Sequence, residues 1–242
     1  MTDKIKILFL AANPVDVKSP LQLKKEFEQI RERLNAAKER DRFELVSEWA
    51  VTSKDLQQIL LNHEPHVLHF SGHGSKNQGI VLEDESGRMR LLDKQAFANL
   101  VKVLKDNIRM VVLNACYSVD QGKLLNDIVD FTIGMDRAIG DEAARVFASS
   151  FYQGLAFGRS VETAFELGKG QLDLSDIPES KKPKLLVRYG VSSTERLFPK
   201  GKADLETHPS EDRREETRTQ GDQVDQSFTG TIHGDVYGIR KG

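Results

Sequence analysis

An α/β fold, with a mostly parallel central sheet and helices on both faces, is what this chain of 242 residues predicts. Short, predominantly apolar runs at residues 5–12, 67–70 and 109–113 have the character of strands buried on both sides. Between them lie stretches whose apolar residues recur at helical spacing, so strand and helix alternate almost throughout. The length suits one large domain plus a tail, or two small domains, and a core of this size needs no disulfide or metal.

Each element has a local reason. The first strand, residues 5–12, stops at Asn13-Pro14, and Leu23, Phe27, Ile30 and Leu34 then line one side of a charged helix over residues 21–38. Residues 43–51 form a second strand. Ser53 is expected to cap a helix through Leu61 that buries Leu56, Ile59 and Leu60, and Pro65 stops it. The strand leading to His73 follows. Residues 80–92 resemble a β-hairpin turning at Glu85-Ser86-Gly87. Asp93 caps a helix to about residue 104, before the strand leading to Cys116. Residues 121–130 are a loop or short helix, and 131–135 a short strand. Asp141 opens a long helix carrying Ala144, Phe147, Phe151 and Leu155, closed at Gly158, and Ser160 caps another through Leu172. Residues 183–191 supply a last, edge strand.

Two strand ends carry chemistry. One reads Ser71-Gly72-His73-Gly74 and the other Asn114-Ala115-Cys116-Tyr117-Ser118, with the only cysteine of the chain. In an open parallel sheet, reactive groups collect just beyond the carboxyl ends of the strands. Neighbouring strands would present one imidazole and one thiol at a single edge. A thiol is a poor nucleophile until ionised, and an imidazole beside it takes its proton. Gly72 and Gly74 allow close backbone approach, the main-chain N–H groups of Gly74 and Cys116 are candidate oxyanion donors, and Ser71 and Asn114 are available to orient the loops. Taken singly, such a cysteine is more often a small buried hydrophobe, and such a histidine a satisfied polar residue. It is the combination that points to a Cys-His pair.

These two segments resemble the CHAT family of caspase-like cysteine peptidases. The similarity extends through Ile133-Gly134-Met135-Asp136-Arg137-Ala138-Ile139-Gly140-Asp141-Glu142-Ala143-Ala144 to Phe147, Phe151-Tyr152, Leu155, Gly158 and Ser160-Val161, and covers most of residues 1–195. The resemblance implies a caspase-hemoglobinase-like fold, with His73 as general base and Cys116 as nucleophile, no metal and no cofactor. Related peptidases set specificity with a charged pocket. Asp16, Asp120 and Asp136 are the loop candidates, and any of them would favour a basic side chain before the scissile bond. Most loop aspartates, by contrast, cap turns or sit in solvent. A catalytically silent scaffold of the same fold is the other function class.

Composition excludes more. With 35 basic and 37 acidic residues the formal net charge is −2, which gives no signal for a nucleic-acid partner. One cysteine rules out an internal disulfide framework and a cysteine-based zinc site, and fits a reducing, cytoplasmic setting. His66, His69 and His73 lie close together but lack a partner cluster for zinc, and His69 reads as a core or supporting residue. The first apolar run is too short for a signal peptide or membrane span. No glycine-rich phosphate loop follows the first strand, where Asn13-Pro14-Val15-Asp16 stands, which argues against a nucleotide-binding domain.

The composition divides the chain into a domain at 1–198, a charged linker at 199–226 expected to be disordered, and a glycine-punctuated β-prone motif at 227–242. The motif alternates apolar and polar residues with glycines at 230, 234 and 238, as in a self-pairing adhesive strand. Thr231-Ile232-His233-Gly234-Asp235-Val236-Tyr237-Gly238 also resembles the short amyloid-signalling motifs of bacterial NLR-type effectors; a frayed end with a chance pattern is the plain alternative. The expected partners are therefore a protein substrate and an NLR-like or self-assembling partner bound through residues 228–239.

Overall fold

A computed structural model describes residues 4–76, 79–194 and 196–197. The linker and motif expected at 199–242 lie outside the described residues.

Six strands build the main sheet. The first, β1 (Ile5–Ala12), is buried along nearly its whole length and pairs in parallel with β2 (Phe43–Glu48) on one side and β3 (Val67–Gly72) on the other. β3 in turn pairs with a later strand, Met110–Asn114, and that strand with Phe131–Met135, both in parallel. The far edge is Pro183–Val187, which runs antiparallel. The remaining short strands β4 (Gly74–Ser75), β5 (Gly79–Glu83) and β6 (Met89–Leu91) form a separate antiparallel group, so the main-sheet strands just described are β7, β8 and β9 in chain order. The expected mostly parallel α/β sheet is what the chain forms, in the order β2-β1-β3-β7-β8-β9.

Alternation along the strands fills two cores. Ile7, Phe9, Val67, Met110, Val112 and Ile133 face helices α1 (Leu23–Asn35), α5 (Asp141–Ala156) and α6 (Val161–Leu174). Leu8, Leu10, Leu68, Phe70, Val111 and Leu113 face α2 (Leu56–His63) and α3 (Lys94–Val103), with Leu125 of the short α4 (Val119–Leu125). Both faces of a strand being covered is why these runs are almost wholly apolar, with Lys6 and His69 as the interruptions.

Most boundaries fall where the sequence places them, and the departures have causes. The α1 helix begins at Leu23 rather than at residue 21. Asn13 pairs its amide oxygen with the Leu21 N–H and its amide nitrogen with the Leu21 carbonyl, holding Leu21 outside the helix. The strand expected over 43–51 ends at Glu48, and Ala50 is in the left-handed region with φ 53. Ser53 does not cap α2. The turn there is made by Thr52 and Asp55, whose side chains bond each other, and the helix starts at Leu56. The caps expected at Asp93 and Ser160 form, each side chain accepting the N–H three residues on. The hairpin forms between β5 and β6, with Gly87 at φ 72 in its turn. Among the described residues, no helix is long and apolar enough to cross a membrane.

Candidate functional site

The parallel register of β3 and β7 decides where the two reactive side chains go. The last pair in the ladder is Ser71 opposite Asn114. His73 and Cys116 each stand two residues further on, so neighbouring strands deliver them to the same edge of the sheet. The loops then touch. A Cβ placed on Gly74 would lie 2.0 Å from the carbonyl oxygen of Cys116 and 3.0 Å from its nitrogen, so only glycine lets the residue after His73 rest on the Cys116 main chain.

His73 is half-buried, with its ring bonded to the Ser19 main chain and Nε2 buried without a hydrogen-bond partner. Burial lowers its pKa from the ordinary imidazole value, and the bond to Ser19 only partly offsets this. A neutral ring with an open Nε2 is what a general base requires. The half-buried Cys116 thiol is held by the main chain of Ile139: Sγ accepts from its N–H at 3.4 Å and lies 3.7 Å from its carbonyl oxygen. Tyr117 follows in the left-handed region at φ 56, a costly conformation for a bulky residue. Tyr117 is held there by its neighbours, as the Ser118 hydroxyl donates to the Leu113 carbonyl and accepts the Met135 N–H at 3.0 Å. These bonds pin the strand-to-helix turn that carries the thiol.

A buried polar cluster lies behind this edge, and sequence reading found only part of it. His69, expected in the core, is completely buried and stacked on Phe9. Its Nε2 is 3.0 Å from Glu26 Oε1, and its Nδ1 is 3.0 Å from the Tyr152 hydroxyl. Ser71 and Asn114 bond Glu26 as well, at 2.6 and 2.7 Å. Glu26 and Tyr152 escaped notice as site residues. The available signal was an acidic residue at position 26 inside the Leu23, Phe27, Ile30 stripe.

The family profile of the CHAT domain matches residues 9–184. The chain belongs to the CHAT domain family. Two relatives carry peptidase names. A "Probable protease" of Gillisia limnaea is 27% identical over 154 residues, covering 63% of this chain and 27% of that protein. A "Roc-COR-CHAT protease" of an unknown prokaryotic organism is 29% identical over 161 residues, covering 63% of this chain and 15% of that protein. The chain thus spans well under a third of either relative's length. The crystal structure of the Drosophila initiator caspase Dronc superposes with a TM-score of 0.49 at 7% identity, over 81% of this chain and 84% of that one.

In the CHAT domain the three pocket candidates follow β1, β7 and β8, all beyond carboxyl ends of strands, but only Asp16 and Asp136 lie in loops: Asp120, expected in a loop, sits in the first turn of α4. Each is already engaged. Asp16 accepts the Met89 N–H at 2.8 Å, tying the β1 loop to the hairpin. Asp120 pairs with Lys123, and that hydrogen bond holds its carboxyl below the usual range. For Asp136, burial works to raise the pKa, but Arg137 and Lys184 outweigh it and leave the carboxyl lowered. The loop after β1 also borders a cleft of about 460 Å³ lined by Ala11, Asn13, Leu21, Leu23, Trp49 and Glu83, and none of the three aspartates lines it. The loop that supplies Asn13 and Leu21 to the cleft also supplies Ser19 to His73. Among the described residues, no group of three or more His, Cys, Asp or Glu side chains is arranged to hold a metal ion.

Proposed function

We propose that this CHAT domain is a caspase-like cysteine endopeptidase with His73 and Cys116 as its catalytic pair. The observation that carries the reading is the seating of Gly74 on the Cys116 main chain, one residue from a histidine whose Nε2 is unpartnered. The peptidase names of the two relatives support it. His73 Nε2 takes the thiol proton, and the thiolate attacks the peptide carbonyl carbon. The N–H groups of Gly74 and Cys116 receive the oxyanion. The carbon–nitrogen bond then breaks, the amine leaves with the proton from His73, and water deprotonated by His73 releases the acyl group as a carboxylic acid.

A basic residue before the scissile bond fits Asp16, Asp120 or Asp136 as pocket carboxylates, once loop motion frees one from its present partner. The cellular setting is cytoplasmic, with a role in bacterial defence or regulated cell death. Recruitment through residues 228–239 to an NLR-like partner or to further copies of the chain raises local concentration and orders the site.

One observation favours a second reading, a silent scaffold acting through its tail: the thiol is bonded to Ile139, so it must turn before it reacts. Incubation of the full chain with a peptide library, alone and with aggregated tail peptide, separates the two. Cleavage that disappears in both Cys116→Ala and His73→Ala supports the peptidase. Cleavage surviving in Cys116→Ala, or no cleavage under any condition, counts against it.

A further inference from the structure

A carboxylate moved from water into a protein core is expensive unless every oxygen finds a donor. Glu26 on α1 is only 2% exposed. Stability alone does not call for it, because an apolar side chain of similar volume packs such a site without desolvating a charge. Its contacts suggest another reason. Oε1 receives Asn114 Nδ2 at 2.7 Å and faces His69 Nε2 at 3.0 Å, while Oε2 receives the Ser71 hydroxyl at 2.6 Å.

Those partners are not scattered. Ser71 and Asn114 are the last register pair of β3 and β7, and each precedes a reactive residue by two positions. One side chain from a third element therefore bridges the carboxyl ends of both strands. His69 anchors the bridge from behind through the Tyr152 hydroxyl of α5 at 3.0 Å. A neutral His69 ring with its proton on Nε2, donating to Glu26 and accepting from Tyr152, satisfies both contacts at once. Asn114 Nδ2 also reaches the Ala144 carbonyl at 3.2 Å, so the β7 end is fixed to α5 too.

We propose that Glu26 is a positioning residue: its carboxylate holds the ends of β3 and β7 in the register that brings His73 to the Cys116 thiol. The proposal rests on the Cys-His reading. It is tested without knowing the substrate, because the chain has a single cysteine and one thiol can be followed unambiguously.

The experiment measures the rate at which iodoacetamide alkylates Cys116 in the full chain, by intact mass, between about pH 5 and pH 10, across the ordinary thiol pKa. In the wild type, the His73 ring takes the thiol proton and speeds alkylation, and His73→Ala slows it by about tenfold at neutral pH. Glu26→Ala should fall to the His73→Ala level. Glu26→Gln should stay within about threefold of wild type, since its amide oxygen accepts from Asn114 and His69 and its NH2 donates to Ser71 Oγ. If circular dichroism shows Glu26→Ala unfolded, Ser71→Ala, Asn114→Ala and the double variant decide. Each single change should slow alkylation, and the double should be no slower than the worse single, because either one cuts the same bridge. A folded Glu26→Ala, or a double variant, with the wild-type pH profile overturns the proposal while leaving the dyad intact. Identical free-thiol profiles for wild type and His73→Ala overturn the dyad and the bridge together.

Discussion

Gly74 rests against Cys116 so closely that even one methyl group on it would meet the cysteine's carbonyl oxygen at 2.0 Å. The contact joins the loop after β3 to the turn after β7, and His73 precedes it by one residue. Gly74→Ala must push the two loops apart. The expected result is a loss of about 1–3 kcal/mol in urea denaturation, together with at least a tenfold drop in peptide cleavage. Wild-type stability with wild-type cleavage would show that the loops do not touch in this way.

The depressed pKa of His73 has a consequence for stability. Burial disfavours the charged ring in the folded chain, so its pKa lies below the 6.5 of an exposed imidazole. As pH falls below that value the unfolded chain binds a proton the folded chain refuses, and stability declines until the folded ring also protonates. Above it both states are neutral and the group contributes no pH dependence. Denaturation midpoints of wild type and His73→Gln, measured from pH 7.5 to 5, should therefore converge or cross on the acid side. Parallel curves would refute the assignment.

Asp130 lies immediately before β8, between Arg109, which precedes β7, and Arg188, which follows β9. Burial works to raise its pKa, but hydrogen bonds from both guanidinium groups win and leave it lowered. The arginine heads are roughly half in water, so Asp130→Asn should cost only about 1–2 kcal/mol. The contribution is present above the unfolded aspartate's 3.8 and is lost as pH falls through the folded value. Acid unfolding of the variant should accordingly show a shallower pH dependence below that point, whereas an unaltered slope would mean the pairs carry no net stabilisation.

Ser118 offers a check on the turn that carries the thiol. Its hydroxyl satisfies the Leu113 carbonyl and the Met135 N–H inside the protein. Ser118→Ala leaves that N–H unbonded, at a cost of about 1–3 kcal/mol. Cys116 alkylation should also become less dependent on His73. A variant as stable as wild type would argue that the turn is held by Ile139 alone.

How much was legible in advance varies by element. The run at 131–135 and the caps at Asp93 and Ser160 are local matters, settled by apolar patterning and by one side chain reaching an N–H three residues away. Ser53 misled because its neighbour Thr52 pairs with Asp55 and sets a different turn. Leu21 was drawn out of α1 by Asn13, eight residues earlier. Glu26 looked like one more charge on a helix full of them, since nothing nearby in sequence announces partners 43, 45 and 88 residues away.

By itself, the sequence determined the alternation of strand and helix and the sheet edge at which His73 and Cys116 stand. Periodicity, capping and residue type act over a few positions and can be read along the chain. Only the tertiary structure decided that Gly74 would lie on the Cys116 main chain, that the thiol would rest on Ile139, and that Glu26 would join Ser71 to Asn114. Such contacts depend on the order in which strands pair and on which helix covers them, and packing geometry of that kind leaves no local trace.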